Sequence, residues 1–168
     1  MYFGIASWVY HFYPLKRVQI FGDMGFTAVS FSGDDMTRLS IEVAKELADL
    51  LERYNMVLTI HDNFGSSNEA FNAETFKKRI DGFVRWNQQS NRLFSITFDP
   101  RVKMLPDGRL IRDLETTILG LRTVLEATDN SGIGIAVEDF PLNKEEQEQL
   151  GELEKEHDHS VSNSAEHH

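Results

Sequence analysis

The stretch MVLTIHDN, residues 56–63, alternates apolar side chains with small or polar ones and ends in ionisable residues. Successive side chains of a strand point to opposite faces, so Leu58 and Ile60 share one face while Thr59 and His61 share the other. The segment has the length and the β-branched content that are typical of a strand. It predicts a strand over Met56–His61 with one apolar face and one polar face.

Four further segments have the same character, and they are Phe3–Ser7, Phe26–Ser32, Leu93–Asp99 and Ile133–Glu138. One face is apolar in all five predicted strands. It carries Phe3, Ile5, Val29, Phe31, Leu58, Ile60, Phe94, Ile96, Phe98, Ile135 and Val137. The other face is small or polar in all five. It carries Gly4, Ala6, Ala28, Ser30, Thr59, His61, Ser95, Thr97, Asp99, Gly134, Ala136 and Glu138.

Helical patterns separate and follow these strands. Pro14 opens a short first helix, Ser40 and Asn72 are expected to cap the second and third, and Asn143 with Glu146 resembles a capping box for the fifth. The apolar stripe expected for the second helix is Ile41, Ala44, Leu47, Ala48 and Leu51; for the third, Phe76, Ile80 and Phe83; for the fourth, Leu110, Leu114, Ile118, Leu121 and Leu125.

Strands that alternate with helices indicate parallel strands joined by crossovers. The helix-to-strand links are short, whereas the strand-to-helix links are longer and richer in polar and aromatic residues. Functional groups are therefore expected at the carboxyl ends of the strands. An open doubly wound sheet, as in a flavodoxin-like module that binds a small ligand, needs two apolar faces. A single apolar face favours a barrel of the TIM type, with helices outside and a narrow interior.

The length of 168 residues fits one domain. We expect a partial (β/α)₈ barrel over residues 1–158, cut short after about five β/α units, and a disordered polar tail over residues 159–168. The net charge of −10 disfavours a nucleic-acid partner. The sequence contains no run of eighteen apolar residues, so no membrane span is predicted. The first residues lack the basic segment of a secretory signal, so a cytoplasmic protein is expected.

Three ionisable residues lie at or near the carboxyl ends of consecutive strands on the polar face: His61, Asp99 and Glu138. Carboxylates and an imidazole that converge on one cavity can bind a divalent metal or move protons. Each residue alone also has a structural interpretation, as a hydrogen-bonded histidine or, for Asp99 before Pro100, as a turn residue. Glu138 is the hardest to explain structurally, because a carboxylate that follows IGIAV is costly to bury without a positive partner.

The segment IGIAVEDFP, with Glu138, resembles the fifth strand of the xylose-isomerase-like sugar-phosphate isomerase/epimerase superfamily, and LTIHDN, with His61, resembles its third strand. The resemblance implies that Glu138 is a metal ligand or catalytic base and that His61 is a catalytic residue that contacts substrate or metal. It implies a divalent Mn, Zn or Mg ion and a small-molecule sugar or sugar phosphate as substrate. Asp99, Trp8 and Tyr10 are then expected to contact the substrate.

In that superfamily further ligands lie on strands six to eight, for which this sequence supplies no segment. Two hypotheses therefore remain beside the flavodoxin-like one. In the first hypothesis, the chain is a metal-assisted isomerase or epimerase that transfers a proton next to a carbonyl once the missing strands are supplied. Alternatively, it is a catalytically incomplete fragment that forms a homo-oligomer or captures a partner through its open sheet edges.

Overall fold

The computed structural model describes residues 13–64, 71–138 and 142–152, together with the backbone of residues 4–6. Five parallel strands form the main sheet: β1 (Gly4–Ala6), β2 (Ala28–Ser32), β3 (Val57–Asn63), β4 (Leu93–Asp99) and β7 (Gly134–Val137). A small antiparallel hairpin consists of β5 (Val102–Met104) and β6 (Leu110–Arg112). The helices are α1 (Pro14–Asp23), α2 (Gly33–Thr37), α3 (Ile41–Arg53), α4 (Ala73–Ser90), α5 (Leu114–Thr128) and α6 (144–152).

The order of the strands in the main sheet follows the order of the chain, β1-β2-β3-β4-β7. Right-handed crossovers that always advance in one direction put every connecting helix on the same face of the sheet. A flavodoxin-like sheet instead reverses its order and carries helices on both faces. The flavodoxin-like hypothesis is therefore wrong for the described residues, and the architecture is a partial (β/α) barrel.

The hydrophobic core lies between the helices and one face of the sheet. Strand residues Val29, Phe31, Leu58, Ile60, Ile96 and Phe98 pack there against helix residues such as Val18, Leu47, Ile80 and Val124. The opposite face carries Ser30, Thr59, His61, Ser95 and Thr97, which are half-buried and contribute nothing to the core cluster. The two-faced pattern of the sequence thus separates an outer apolar face from an inner polar face.

Helix boundaries follow local hydrogen-bonding chemistry. Ser40 accepts a hydrogen bond from the Val43 amide, and Asn72 accepts one from the Thr75 amide, as expected for N-caps. Asn143 and Glu146 exchange two 2.9 Å hydrogen bonds, which confirms the predicted capping box of α6.

The four helix-to-strand links each contain a residue with positive φ, namely Gly25, Asn55, Asn91 and the pair Asn130 and Gly132. Glycine and asparagine tolerate this left-handed conformation best, which lets the chain leave a helix and enter a strand within a few residues.

Three sequence expectations about packing are wrong. Ile41 was expected in the apolar stripe of α3, but it is 72% exposed. Phe94 was expected on the buried face, but β4 contains a register shift opposite Leu58, so Leu93 is buried and Phe94 is 52% exposed. An extra residue in one strand inverts the alternation on either side of it.

The stripe predicted for the fourth helix is also wrong. Leu110 lies in β6, and Leu125 is 58% exposed. The buried residues of α5 are Thr117, Gly120, Val124 and Thr128.

Small side chains are needed on α5 because the ring of Phe64 lies against Gly120, where a Cβ atom would overlap it. The hydroxyl of Thr128 donates to the Val124 carbonyl, and the hydroxyl of Thr117 donates to the Asp113 carbonyl. Both threonines are thereby compatible with burial.

Two predicted loops contain regular structure. The link after β2 holds the short helix α2, whose cap is Ser32, and the link after β4 holds the β5–β6 hairpin. The predicted domain end at residue 158, and the tail that was expected to follow it, lie outside the described residues. In the described part of the chain, no helix is long and apolar enough to cross a membrane.

Candidate functional site

The candidate site lies on the inner face, at the carboxyl ends of three adjacent strands. His61 is in β3, Asp99 ends β4, and Glu138 directly follows β7. Parallel register aligns these ends: Asn63 pairs with Asp99, and the Glu138 amide donates a 2.9 Å hydrogen bond to the Phe98 carbonyl. The ladder therefore brings the three side chains of the sequence prediction together.

Short distances join the three groups. The Nε2 atom of His61 lies 3.1 Å from Oδ1 of Asp99 and 3.6 Å from Oε1 of Glu138. One potential ligand atom from each residue falls within 4.8 Å of both others. The imidazole is 22% exposed, and the carboxylates of Asp99 and Glu138 are 49% and 38% exposed. The cluster is open to solvent on one side, as a site that admits a small molecule must be.

This donor set fits a divalent metal ion. One imidazole nitrogen and two carboxylate oxygens are ligands suited to Zn and Mn, and carboxylates also suit Mg. Three protein ligands that leave further positions open are typical of catalytic rather than structural metal sites. To act as a ligand, Nε2 of His61 must offer its lone pair, so the ring would carry its proton on Nδ1.

An ionic network supports the strand end from the outer face. Asp62, whose side chain is 2% exposed, receives two hydrogen bonds from Arg79 of α4, at 2.7 and 2.8 Å. The same guanidinium lies 2.9 Å from Asp34 of α2. Burial raises the pKa of Asp62, and the nearby positive charge of Arg79 opposes that rise.

A second buried arginine links the loops around the site. Arg101 follows Asp99 by two residues, and its guanidinium donates a 3.0 Å hydrogen bond to the carbonyl of Phe64, just after β3. Its backbone amide donates to the Thr117 hydroxyl of α5, and its Nε atom lies 3.7 Å from Asp113. Arg101 therefore connects the ends of β3 and β4 to the start of α5.

A third arginine pair lies on the outer layer. Arg17 of α1 is 2.8 Å from Asp35 of α2, and its guanidinium stacks over the Phe31 ring at 5.1 Å. Burial alone would raise the pKa of Asp35. The hydrogen bond and charge attraction from Arg17 outweigh it, so the pKa lies below the ordinary value of 3.8.

Sequence reasoning named the inner-face residues and missed these arginines. Trp8 and Tyr10, the other expected substrate contacts, lie outside the described residues. The resemblance implied that Glu138 is a metal ligand or base, that His61 contacts substrate or metal, and that Asp99 contacts the substrate. The structure brings all three into one cluster. The sequence contains one signal for a cation such as Arg79. Asp62 lies on the apolar face of a strand, and a buried carboxylate there requires a positively charged partner.

The comparisons with known proteins agree with the architecture. No protein-family model matches the chain, and no curated protein does. Among solved structures, a D-psicose 3-epimerase with D-tagatose from Clostridium cellulolyticum H10 matches with a TM-score of 0.67 and 12% identity, over 85% of this chain and 56% of that one. A D-tagatose 3-epimerase-like protein matches with a TM-score of 0.59 and 18% identity, over 86% of this chain and 55% of that one.

A xylose isomerase domain protein from Alicyclobacillus acidocaldarius subsp. acidocaldarius matches with a TM-score of 0.57 and 12% identity, over 82% of this chain and 49% of that one. The chain thus spans about half the length of these structures. Identities this low establish the fold and leave the activity open. The predicted fold is thus confirmed: the chain is a partial (β/α) barrel, similar in fold to these epimerase and xylose isomerase domain structures.

Proposed function

We propose that the chain is a sugar or sugar-phosphate isomerase/epimerase-like domain whose His61, Asp99 and Glu138 hold a divalent metal ion. The observation that carries the proposal is the convergence of these three side chains at the carboxyl ends of adjacent parallel strands. In (β/α) barrels, catalytic groups lie at that end. The fold shared with epimerase and isomerase-like structures supports the same class of chemistry.

The ion, when bound, would act as a Lewis acid that polarises a substrate carbonyl. The chain's own residues would do the rest. Asp99 and His61 anchor the ion, and the Glu138 carboxylate is both a ligand and the group proposed to accept a proton from the carbon next to that carbonyl. Its 38% exposure leaves it accessible from the open side of the cluster. Trp8 and Tyr10 are proposed to wall the substrate pocket, with Asp99 contacting a sugar hydroxyl.

The substrate class follows from this chemistry. A sugar with a carbonyl beside a hydroxyl-bearing carbon offers two oxygen atoms to a metal. The hydrogen on the hydroxyl-bearing carbon is the proton that a base can remove. The solved structures named above include an enzyme with D-tagatose, which is a sugar of this kind. We therefore propose a small-molecule sugar or sugar phosphate as the ligand.

Metal binding is the first test. Titration of the purified chain with Mn²⁺ in a calorimeter should reveal one binding site in the wild type. The Glu138→Gln and His61→Gln variants should bind at least about tenfold more weakly, because each removes one of three ligands. Glu126→Gln, which neutralises an exposed carboxylate on α5, is the matched control and should bind like the wild type. Equal affinity in all four proteins would contradict the proposed site.

Turnover is the second test. The chain is incubated with Mn²⁺ and a panel of ketoses and ketose phosphates in D₂O, and deuterium incorporation next to the carbonyl is followed by NMR. Exchange that disappears in Glu138→Gln supports the assignment of Glu138. Exchange at an unchanged rate in that variant would eliminate its role as proton acceptor.

Association of chains is a second proposal, and the sheet edges favour it. In the described sheet, β1 and β7 each have a strand neighbour on one side only. Unpaired edge strands can bind another chain. Leu119 and Leu125 of α5, the helix that precedes β7, are about half exposed, which adds exposed apolar surface. Size-exclusion chromatography with light scattering should therefore detect a dimer or larger species, and a purely monomeric peak at all concentrations would refute association.

A further inference from the structure

The end of β3 extends beyond its neighbour on one side. His61 pairs with Ser32, which is the last residue of β2, and the chain then turns into α2 at Gly33. Asp62 and Asn63 continue to pair with β4 on the other side, through Phe98 and Asp99. His61 therefore occupies the last rung at which β3 is held by strands on both sides.

Side-chain bonds to α4 and α2 are made at this end of β3. The two carboxylate oxygens of Asp62 accept hydrogen bonds from Nε and Nη2 of Arg79, at 2.8 and 2.7 Å. Oδ1 of Asp62 also accepts a 2.9 Å hydrogen bond from the Asn63 amide. The third nitrogen of the guanidinium lies 2.9 Å from Asp34. One arginine thus connects the end of β3 to α4 and to α2.

Gly33 completes the arrangement. A Cβ atom at this position would overlap the carboxylate of Asp62 and the guanidinium of Arg79, so only glycine lets α2 start this close to the pair. Because Asp62 and His61 are successive strand residues, they point to opposite faces. A rigid anchor for Asp62 outside the sheet therefore fixes the backbone from which His61 projects inside it.

We infer that Arg79 is a positioning residue for the inner-face cluster, acting through Asp62 to hold the His61 ring within reach of Asp99 and Glu138. The inference rests on the proposed metal site. Residues that orient metal ligands without touching the metal change metal affinity by roughly 10- to 100-fold when they are mutated. Loosening this anchor should have an effect in that range.

The test compares four proteins, all with the complete chain. Arg79→Lys keeps a positive charge and loses the fork that contacts both oxygens of Asp62. The double variant Asp62→Asn with Arg79→Gln removes both charges together, so no unpaired buried charge prevents folding. Arg17→Lys is the matched control, since Arg17 forms a buried ion pair with Asp35 that joins α1 to α2 in the outer layer of helices.

Three measurements are made on each protein: circular dichroism with thermal unfolding, Mn²⁺ affinity by calorimetry, and the long-range ¹H–¹⁵N spectrum of the His61 ring at one fixed pH without metal. We expect all four proteins to be folded. The two Arg79 variants should bind Mn²⁺ roughly 10- to 100-fold more weakly, with altered His61 ring signals. The Arg17 variant should match the wild type in both respects.

Wild-type affinity in both Arg79 variants would overturn the inference, and so would an equal loss in Arg17→Lys, which would indicate general loosening. If the wild type itself binds no Mn²⁺, the proposed metal site fails, and the ring spectra then decide the inference. His61 signals that change in the Arg79 variants alone support positioning, and signals that are identical in all four proteins overturn it.

Discussion

The two faces of the five-stranded sheet differ in composition and in burial. The outer face carries Phe31, Leu58, Ile60, Ile96 and Phe98, all fully buried under the helices. The inner face carries serine, threonine and the ionisable cluster, all half-buried or more exposed. The outer face stabilises the fold through apolar burial, whereas the inner face contributes little to stability and is free to carry polar groups. The predictions below test that division in order of decreasing effect.

The largest effect is expected where adjacent residues of β3 point to opposite faces. Ile60→Ala should lower the free energy of unfolding by about 2–5 kcal/mol, because it leaves a cavity in the core. Thr59→Val, the neighbouring change on the inner face, should stay within about 0.5 kcal/mol of the wild type. Urea denaturation measures both. Similar losses in the two variants would show that the faces are not divided as described.

A glycine pair tests the outer layer of helices. Gly120→Ala on α5 should cost roughly 1–3 kcal/mol, because the new methyl group overlaps the Phe64 ring and forces the core to shift. Gly82→Ala on α4 meets only the end of the Arg85 side chain at 3.9 Å and should stabilise the helix by about 0.5–1 kcal/mol. Thermal unfolding should therefore move the two midpoints in opposite directions, and a shift of the same sign in both would contradict the packing.

A smaller effect is expected at a helix end remote from both faces. Ser40→Ala removes the hydroxyl that accepts the Val43 amide, and should cost about 1 kcal/mol. Thr37→Ala, whose exposed hydroxyl donates to the Asp34 carbonyl, is the control and should cost less. Metal affinity should be unchanged in Ser40→Ala, because its hydroxyl caps α3 in the outer layer of helices. A change in affinity would show that the outer layer and the site are coupled more widely than through Arg79.

The smallest effect is a pH dependence. The pKa of Asp35 is lowered in the folded protein by Arg17, so its charged form is favoured by folding. Its stabilising contribution is present above the ordinary value of 3.8 and is lost as the pH falls through the lowered folded value. Asp35→Asn should slightly reduce the loss of stability at acid pH. Asp107→Asn should reduce it less, because its carboxylate, whose pKa is also lowered, is exposed to solvent. If the loss of stability at acid pH is the same in Asp35→Asn as in the wild type, the Arg17–Asp35 pair does not stabilise the fold.

The sequence predicted much of the fold because local rules govern it. The period of two in the strands, the cap residues Ser40, Asn72 and Asn143, and the alternation of strands with helices are all encoded within a few residues. The same rules placed His61, Asp99 and Glu138 on one face at one end of the sheet. They failed at Phe94 and on α5, where a single extra strand residue and a close approach of Phe64 decide which side chain is buried.

The sequence by itself determined five strands with one apolar and one polar face, the starts of α1, α3, α4 and α6, and the identity of the inner ionisable residues. Only the tertiary structure decided that His61 lies 3.1 Å from Asp99, and that Arg79 binds Asp62 across 17 residues of chain. Periodicity fixes the face on which a residue lies, because it depends on backbone geometry alone. The distance between side chains from different elements depends on strand register and helix packing, which are settled by contacts between residues far apart in the sequence.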